Sequence, residues 1–189
     1  MGCGREGPPR KTRRSWNAPG HAHEVTFSCQ NRWQILSSPL AKEIVLRELD
    51  QARHRLNFAL VAYVVMPEHV HLLIKPNEDK YSMARILLGI KSPSSRSIQR
   101  FLRKTRPEVV DRLRVERAPG RVEYRVWLQG GGYDRNIDNR EDLATAIDYL
   151  HSNPVRRGFV GAPDEWSWSS AHAYLGTGDP PIPVDFIDW

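Results

Sequence analysis

The sequence contains no apolar run approaching the ~20 residues that a membrane-spanning helix needs, which argues against an integral membrane protein. Its first seventeen residues are basic, but no apolar segment follows them, so they do not read as a secretory signal. Cysteine is nearly absent. Cys3 and Cys29 form no metal-binding spacing and read as free thiols in a reducing cytoplasm, with no disulfide. Internal repeats are missing too, which excludes solenoids and propellers. Acidic residues are scarce in two places. Residues 91–106 hold Lys91, Arg96, Arg100, Arg103, Lys104 and Arg106 and no acid, and residues 1–17 set Arg5, Arg10, Lys11, Arg13 and Arg14 against Glu6 alone. Such clusters neutralise phosphates and release counterions, the main sequence-independent term in nucleic-acid binding. The competing reading is a solvated helix face and a solubilising tail.

What is present suits one domain with a sizeable core: 189 residues, 40% of them hydrophobic, with a net charge of +6. The expected division is a basic N-terminal arm over 1–20, a domain over 21–175 and a Pro-rich tail over 176–189. His23–Cys29 alternates, with Val25, Phe27 and Cys29 inward, and predicts a strand. Ser38-Pro39 reads as an N-cap and first helical position, followed by Leu40, Ile44, Val45, Leu49, Ala52 and Leu56 at helical spacing, with an end near Asn57. Phe58–Met66 is almost continuously apolar and predicts a central strand. After the Pro67-Glu68 link, His69–Lys75 returns as its hairpin partner.

Ser82 opens a second helix carrying Ala84, Ile86, Leu87 and Ile90, then Ile98, Phe101 and Leu102, with Pro93 expected to kink or restart it. Glu123–Leu128 is strand-like until Gly130–Gly132 breaks it. Asp138 or Asn139 caps a third helix whose stripe is Leu143, Ala146, Ile147 and Leu150, and Asn153-Pro154 ends it. The order β-α-β-β-α-β-α with a central hairpin predicts an α+β fold, a ferredoxin-like antiparallel sheet with helices packed on it.

Two patterns carry chemistry. In Met66-Pro67-Glu68-His69-Val70-His71, the residues at i and i+2 of a strand share a face. His69 and His71 therefore point the same way, and paired imidazoles can hold a divalent metal. A hydrogen-bonded structural pair is the alternative. In the third helix, at about 100° per residue, Tyr149 and Asn153 lie together on one flank of the buried stripe. They could face a common site, or Tyr149 could be a boundary residue with its hydroxyl in water. Tyr133, after the glycines, is the rival tyrosine and reads as strand-end packing or a DNA contact. Tyr63 reads as core, and His151 as structural.

Together with Trp127–Arg135, the run Tyr149-Leu-His-Ser-Asn-Pro-Val-Arg-Arg-Gly and Trp168-Ser-Ser-Ala, the His-x-His segment resembles the REP-associated tyrosine transposases. These belong to the single-tyrosine HUH transposases of the insertion-sequence-200 type. The resemblance spans roughly 20–175 and implies the HUH endonuclease fold. It implies metal-assisted nicking and strand transfer of single-stranded DNA at hairpin-forming repeats. His69 and His71 match the metal ligands, Tyr149 the nucleophile, and Asn153 the polar residue that completes the metal shell. The implied ion is Mg²⁺ or Mn²⁺, acting as a Lewis acid on the scissile phosphate. Tyrosine's free pKa of ~10 means that the nucleophile needs activation, and the sequence does not name the base.

The resemblance also implies a cytoplasmic bacterial protein at the nucleoid, monomer or homodimer, without a membrane partner. DNA contacts fall to Lys91, Arg96, Arg100, Arg103 and Lys104, then to Arg10, Lys11, Arg13 and Arg14. Gly131-Gly132 depart from relatives, which often carry an arginine and bulkier residues there. Pro93 in the basic helix is also unusual. A domesticated, non-catalytic repeat-binding protein is the alternative. A metallo-β-lactamase-like hydrolase is disfavoured, because Leu72-Leu73-Ile74 stands where such an enzyme needs further ligands.

Overall fold

The computed structural model describes residues 16–187. The expected arm contacts at Arg10, Lys11, Arg13 and Arg14, like Cys3, lie outside the described residues. The central sheet has four strands: β1 (Ala22–Ser28), β2 (Phe58–Val65), β3 (His69–Pro76) and β6 (Tyr133–Ile137). They run in the order β2-β3-β1-β6, every pair antiparallel. A separate hairpin joins β4 (Arg114–Ala118) and β5 (Arg121–Tyr124). The helices are α1 (Pro39–Leu56), α2 (Met83–Thr105), α3 (Pro107–Arg112), α4 (Arg140–His151), α5 (Asn153–Arg156) and α6 (Ala171–Leu175).

Strand alternation divides the sheet's two faces. Val25 and Phe27 of β1, Tyr63 and Val65 of β2, and Val70, Leu72 and Ile74 of β3 form one core with α1 and α2. The opposite face meets α4, where Ala22, Ala62, Val64, Leu73 and Ile137 pack with Leu143, Ala146 and Leu150. On that second face β2 stays apolar, whereas β3, β1 and β6 also present His69, His71, Glu24, Thr26, Tyr133 and Arg135, and this polar patch places the site.

Local signals explain the helix boundaries. Pro39 opens α1 with its φ already set, and Asn57 closes it in the left-handed conformation. Leu40, expected in the α1 stripe, is 53% exposed. Ala84 is likewise exposed, and Met83 takes its place in the core stripe of α2. The Ser82 hydroxyl caps α2, and the Asn139 carboxamide caps α4 at the Asp142 amide. Pro93 does not interrupt α2, which is continuous through it. Proline removes the amide that would bond the carbonyl four residues earlier, and Arg55 supplies that carbonyl, Gly89 O, with a guanidinium donor at 2.9 Å.

Three other expectations change. β2 is not central: its neighbours in the sheet include only β3, although both its faces are buried. Its outer edge is covered by residues 166–185. The Val65 amide donates to the Trp168 carbonyl at 2.9 Å, Ser170 N to Tyr63 O at 3.0 Å, and Asp185 N to Leu60 O at 2.9 Å, while Asp185 Oδ2 accepts from the Leu60 amide. A continuous apolar run reports burial of faces, not the number of strand neighbours. The stretch expected as one strand over 123–128 is split. β5 belongs to the separate hairpin, and residues 126–128 return along the end of β1, with the Trp127 indole donating to Ser94 Oγ at 3.0 Å. Finally, Tyr133, read as strand-end packing or a DNA contact, opens a full strand of the sheet, Tyr133–Ile137, that the sequence does not predict.

Candidate active site

β1 and β3 pair so that Thr26 stands opposite His71, and Ser28 opposite His69. The two histidines lie on one sheet face as expected, with their Nε2 atoms 2.8 Å apart. Each outer nitrogen is engaged: His69 Nδ1 with Glu68 Oε1 at 3.1 Å, and His71 Nδ1 with the Thr26 hydroxyl at 2.8 Å. Burial holds both imidazoles below the ordinary histidine range, His71 at about 3, so both are neutral near neutral pH.

The side chain of Tyr149 leaves α4 beside the buried Ala146 and Leu150 and is 47% exposed. The guanidinium of Arg156 lies 4.7 Å from its ring centre and holds the ring by a cation–π contact. Tyr149 and His71 line one cavity of about 490 Å³, together with Thr26, Tyr133, Glu24 and Arg135. Glu24 and Arg135 are opposed across β1 and β6 and form an ion pair at 2.9 Å. The cavity thus brings together two phenols, an imidazole and a carboxylate–guanidinium pair.

Asn153 is not among the residues lining that cavity. It is buried where α4 gives way to α5, and its Nδ2 donates to the carbonyls of Tyr149 and Leu150 at 2.9 and 3.1 Å. Neither bond uses Oδ1. His151 is structural as expected, bonded to Ser170 Oγ at 2.8 Å and lowered by burial to about 4.

Among the described residues, no three His, Cys, Asp or Glu side chains converge on a common point. The two histidines nonetheless suit a cation. Imidazole nitrogens bound at about 2.1 Å and at right angles on one ion sit ~3 Å apart, close to the separation seen. The remaining ligands of such an ion would be oxygens, from a carboxamide, water or substrate.

The basic residues of α2 fall into two groups. Lys91 is committed within the protein: its ammonium donates to the carbonyls of Leu128 and Gly130 at 3.0 and 2.7 Å, and burial lowers its pKa. Arg96, Arg100, Arg103 and Lys104 are exposed. Arg96 lines a groove of about 460 Å³ between α2 and the β4–β5 hairpin, with Arg117, Tyr124 and Arg125 on the far wall. Arg103 stacks over Tyr124 at 5.8 Å.

Gly132 has φ +74°, and a Cβ there would fall 2.0 Å from the Thr26 carbonyl oxygen, so β6 can pair with β1 only if this residue is glycine. Glu24, Thr26 and Arg135 were legible in part, since Glu24 and Thr26 are the polar half of the β1 alternation. Glu68, Arg156 and Arg157 lie inside the segments that carry the resemblance, but none of them takes a role from the sequence alone: the Arg157–Glu68 pair spans 89 positions, and the Arg156 contact with Tyr149 forms only where α4 turns into α5.

A four-stranded antiparallel sheet bearing paired histidines beneath a tyrosine helix has the HUH fold. The family model described as Transposase IS200 like matches residues 19–113, and the chain belongs to that family. Its similarity within the family is to the REP-associated tyrosine transposases. A Haemophilus influenzae protein assigned by name to that group is 28% identical over 117 residues, covering 61% of this chain. The chain spans 60% of the length of that curated relative. A solved structure of a REP-associated tyrosine transposase bound to a REP hairpin superposes with a TM-score of 0.67 at 20% identity, over 95% of this chain and 92% of that one, a likeness of fold. The matched range 19–113 includes His69 and His71 and stops short of Tyr149.

Proposed function

We propose that this protein cuts and rejoins single-stranded DNA at hairpin-forming repeats, with Tyr149 as nucleophile. The observation that carries the reading is the shared cavity: Tyr149 from α4 and His71 from β3 line one space, with His69 bonded directly behind His71. The hydroxyl of Tyr149 attacks phosphorus, the bond to the 3′ oxygen breaks, and the products are a 5′-phosphotyrosine and a free 3′-hydroxyl. The covalent link retains the bond energy, so a second hydroxyl can reverse the step.

His69 and His71 would hold Mg²⁺ or Mn²⁺, with Asn153 offering Oδ1. When bound, the ion supplies Lewis-acid polarisation of the phosphate. Arg156 orients the phenol, and Arg135, although paired with Glu24, offers guanidinium N–H donors on the cavity wall where a phosphate would lie. The solved relative is bound to a REP hairpin. For this chain the exposed Arg96, Arg100, Arg103 and Lys104, with the Tyr124 groove, supply phosphate and stacking contacts to such DNA.

The test is labelled single-stranded repeat DNA with Mn²⁺, run on a denaturing gel. Wild type forms a denaturant-resistant adduct that maps to Tyr149, and Tyr149→Phe forms none while keeping its DNA affinity. An adduct on Tyr133 moves the nucleophile. Tight hairpin binding with no adduct under any metal shows a domesticated DNA-binding protein.

A further inference from the structure

Glu68 is the least expected charge near the site. Its side chain is 5% exposed, in the turn between β2 and β3. The turn is clamped, because the Cys29 amide donates to the Glu68 carbonyl at 2.8 Å and the Leu36 amide to the Pro67 carbonyl at 2.9 Å. One carboxylate oxygen, Oε1, takes the His69 Nδ1 contact at 3.1 Å and an N–H from Arg157 Nη2 at 2.8 Å. The other, Oε2, is buried without a hydrogen-bond partner. Burying a carboxylate and leaving half of it unsatisfied is costly, and a pair serving only to join two elements has no need of that position.

We propose that Glu68 and Arg157 are positioning residues that lock His69 in the tautomer carrying its proton on Nδ1, so that the Nε2 lone pair faces the site. This rests on the reading of His69 and His71 as metal ligands. The proton assignment follows from the donors and acceptors. An oxygen that already accepts from a guanidinium accepts from the imidazole too, so Nδ1 is the donor. His69 Nε2 is then an acceptor, His71 Nε2 its donor, and the Thr26 hydroxyl donates to His71 Nδ1. Loading a cation requires only that the His71 proton pass from Nε2 to Nδ1. Thr26 rotates to accept it, with no net proton released.

Arg157 adds a second constraint. Its amide donates to the Asn153 carbonyl at 3.1 Å, one turn back. The Arg157–Glu68 pair therefore ties the segment bearing Asn153 to the hairpin bearing both histidines. Carboxylates and other partners behind a ligating histidine typically contribute 10–100-fold in metal affinity.

The experiment uses the full chain with ¹⁵N-labelled histidine and Mn²⁺ titration. Wild type shows His69 protonated at Nδ1. Glu68→Ala moves the proton to Nε2 and weakens Mn²⁺ binding at least tenfold. Arg157→Met weakens it several-fold, and Arg157→Lys restores it. Should Glu68→Ala not fold, the two variants at the exposed Arg157 carry the test. An Nε2-protonated His69 in wild type overturns the proposal, and so does equal Mn²⁺ affinity in all folded variants while His69→Ala loses it. Wild type that holds the Nδ1 proton but takes up no Mn²⁺ upholds the tautomer lock and overturns the metal reading instead.

Discussion

The guanidinium of Arg55 donates to the carbonyl of Gly89 at 2.9 Å, the acceptor that Pro93 leaves without its helical partner. This cross-helix bond lets α2 run on from the buried Met83 to the basic residues beyond the proline. Pro93→Ala restores the ladder bond and should raise stability by about 1–3 kcal/mol. In that background Arg55→Ala, which alone costs about 1 kcal/mol, should become nearly neutral. A double-mutant cycle in urea measures the coupling; additive effects would mean that Arg55 does not replace the missing donor.

Gly132→Ala should destabilise the protein by about 2–4 kcal/mol, the sum of a left-handed backbone penalty and overpacking against the Thr26 carbonyl. Because the clash falls on the backbone of β1, no side-chain rotation relieves it. Denaturant midpoints for Gly132→Ala against Gly131→Ala check this, since a Cβ at 131 meets only Leu87 Cδ1 at 4.0 Å. Similar midpoints would refute it.

Lys91 should part company with the other basic residues of α2. Lys91→Gln loses two carbonyl contacts and should lower stability by about 1–2 kcal/mol, leaving the salt dependence of DNA binding unchanged. Neutralising Arg96, Arg100, Arg103 and Lys104 should instead flatten the slope of log K against log salt by about 0.7–0.9 per lost phosphate contact. A shallower slope for Lys91→Gln would show that its ammonium leaves the carbonyls to reach DNA.

The buried His151 imposes an acid sensitivity. Its folded pKa is about 4, below the unfolded value of 6.5. Between those values the unfolded chain binds the proton and the folded chain does not. Stability therefore falls as pH drops from about 6.5 towards 4, and levels off below. His151→Gln should remove on the order of 2–3 kcal/mol of this loss. Melting curves from pH 7 to 4 read it directly, and a variant with the wild-type slope would exclude His151 as a source.

The sequence disclosed what local periodicity can disclose. The His-x-His face, the bounds of α1, the cap of α4 and the flank position of Tyr149 follow from two- and 3.6-residue periods and from capping chemistry. Strand neighbours were beyond it. β2 is buried on both faces like a central strand, yet half of its edge bonding comes from an irregular segment with no strand pattern. β6 is five residues of mostly polar side chains after three glycines, and it is a strand because β1 offers it an edge. Lys91 carries the same charge as the exposed arginines of its helix, and the path of residues 128–130, whose carbonyls take its ammonium, separates it from them. Glu68 looked like a turn residue, and its role depends on an arginine 89 positions later.

The covering of β2 has a consequence for how the chain is made. Ser170 closes on Tyr63 across 107 positions, so a ribosome finishes the first hairpin well before it emits the residues that seal that hairpin's flank. During synthesis the nascent β2 carries a bare row of amides and carbonyls, a template for pairing with another chain. Chains released before residue 166 would expose that row permanently, and the segment 166–185 acts as an internal guard against self-association.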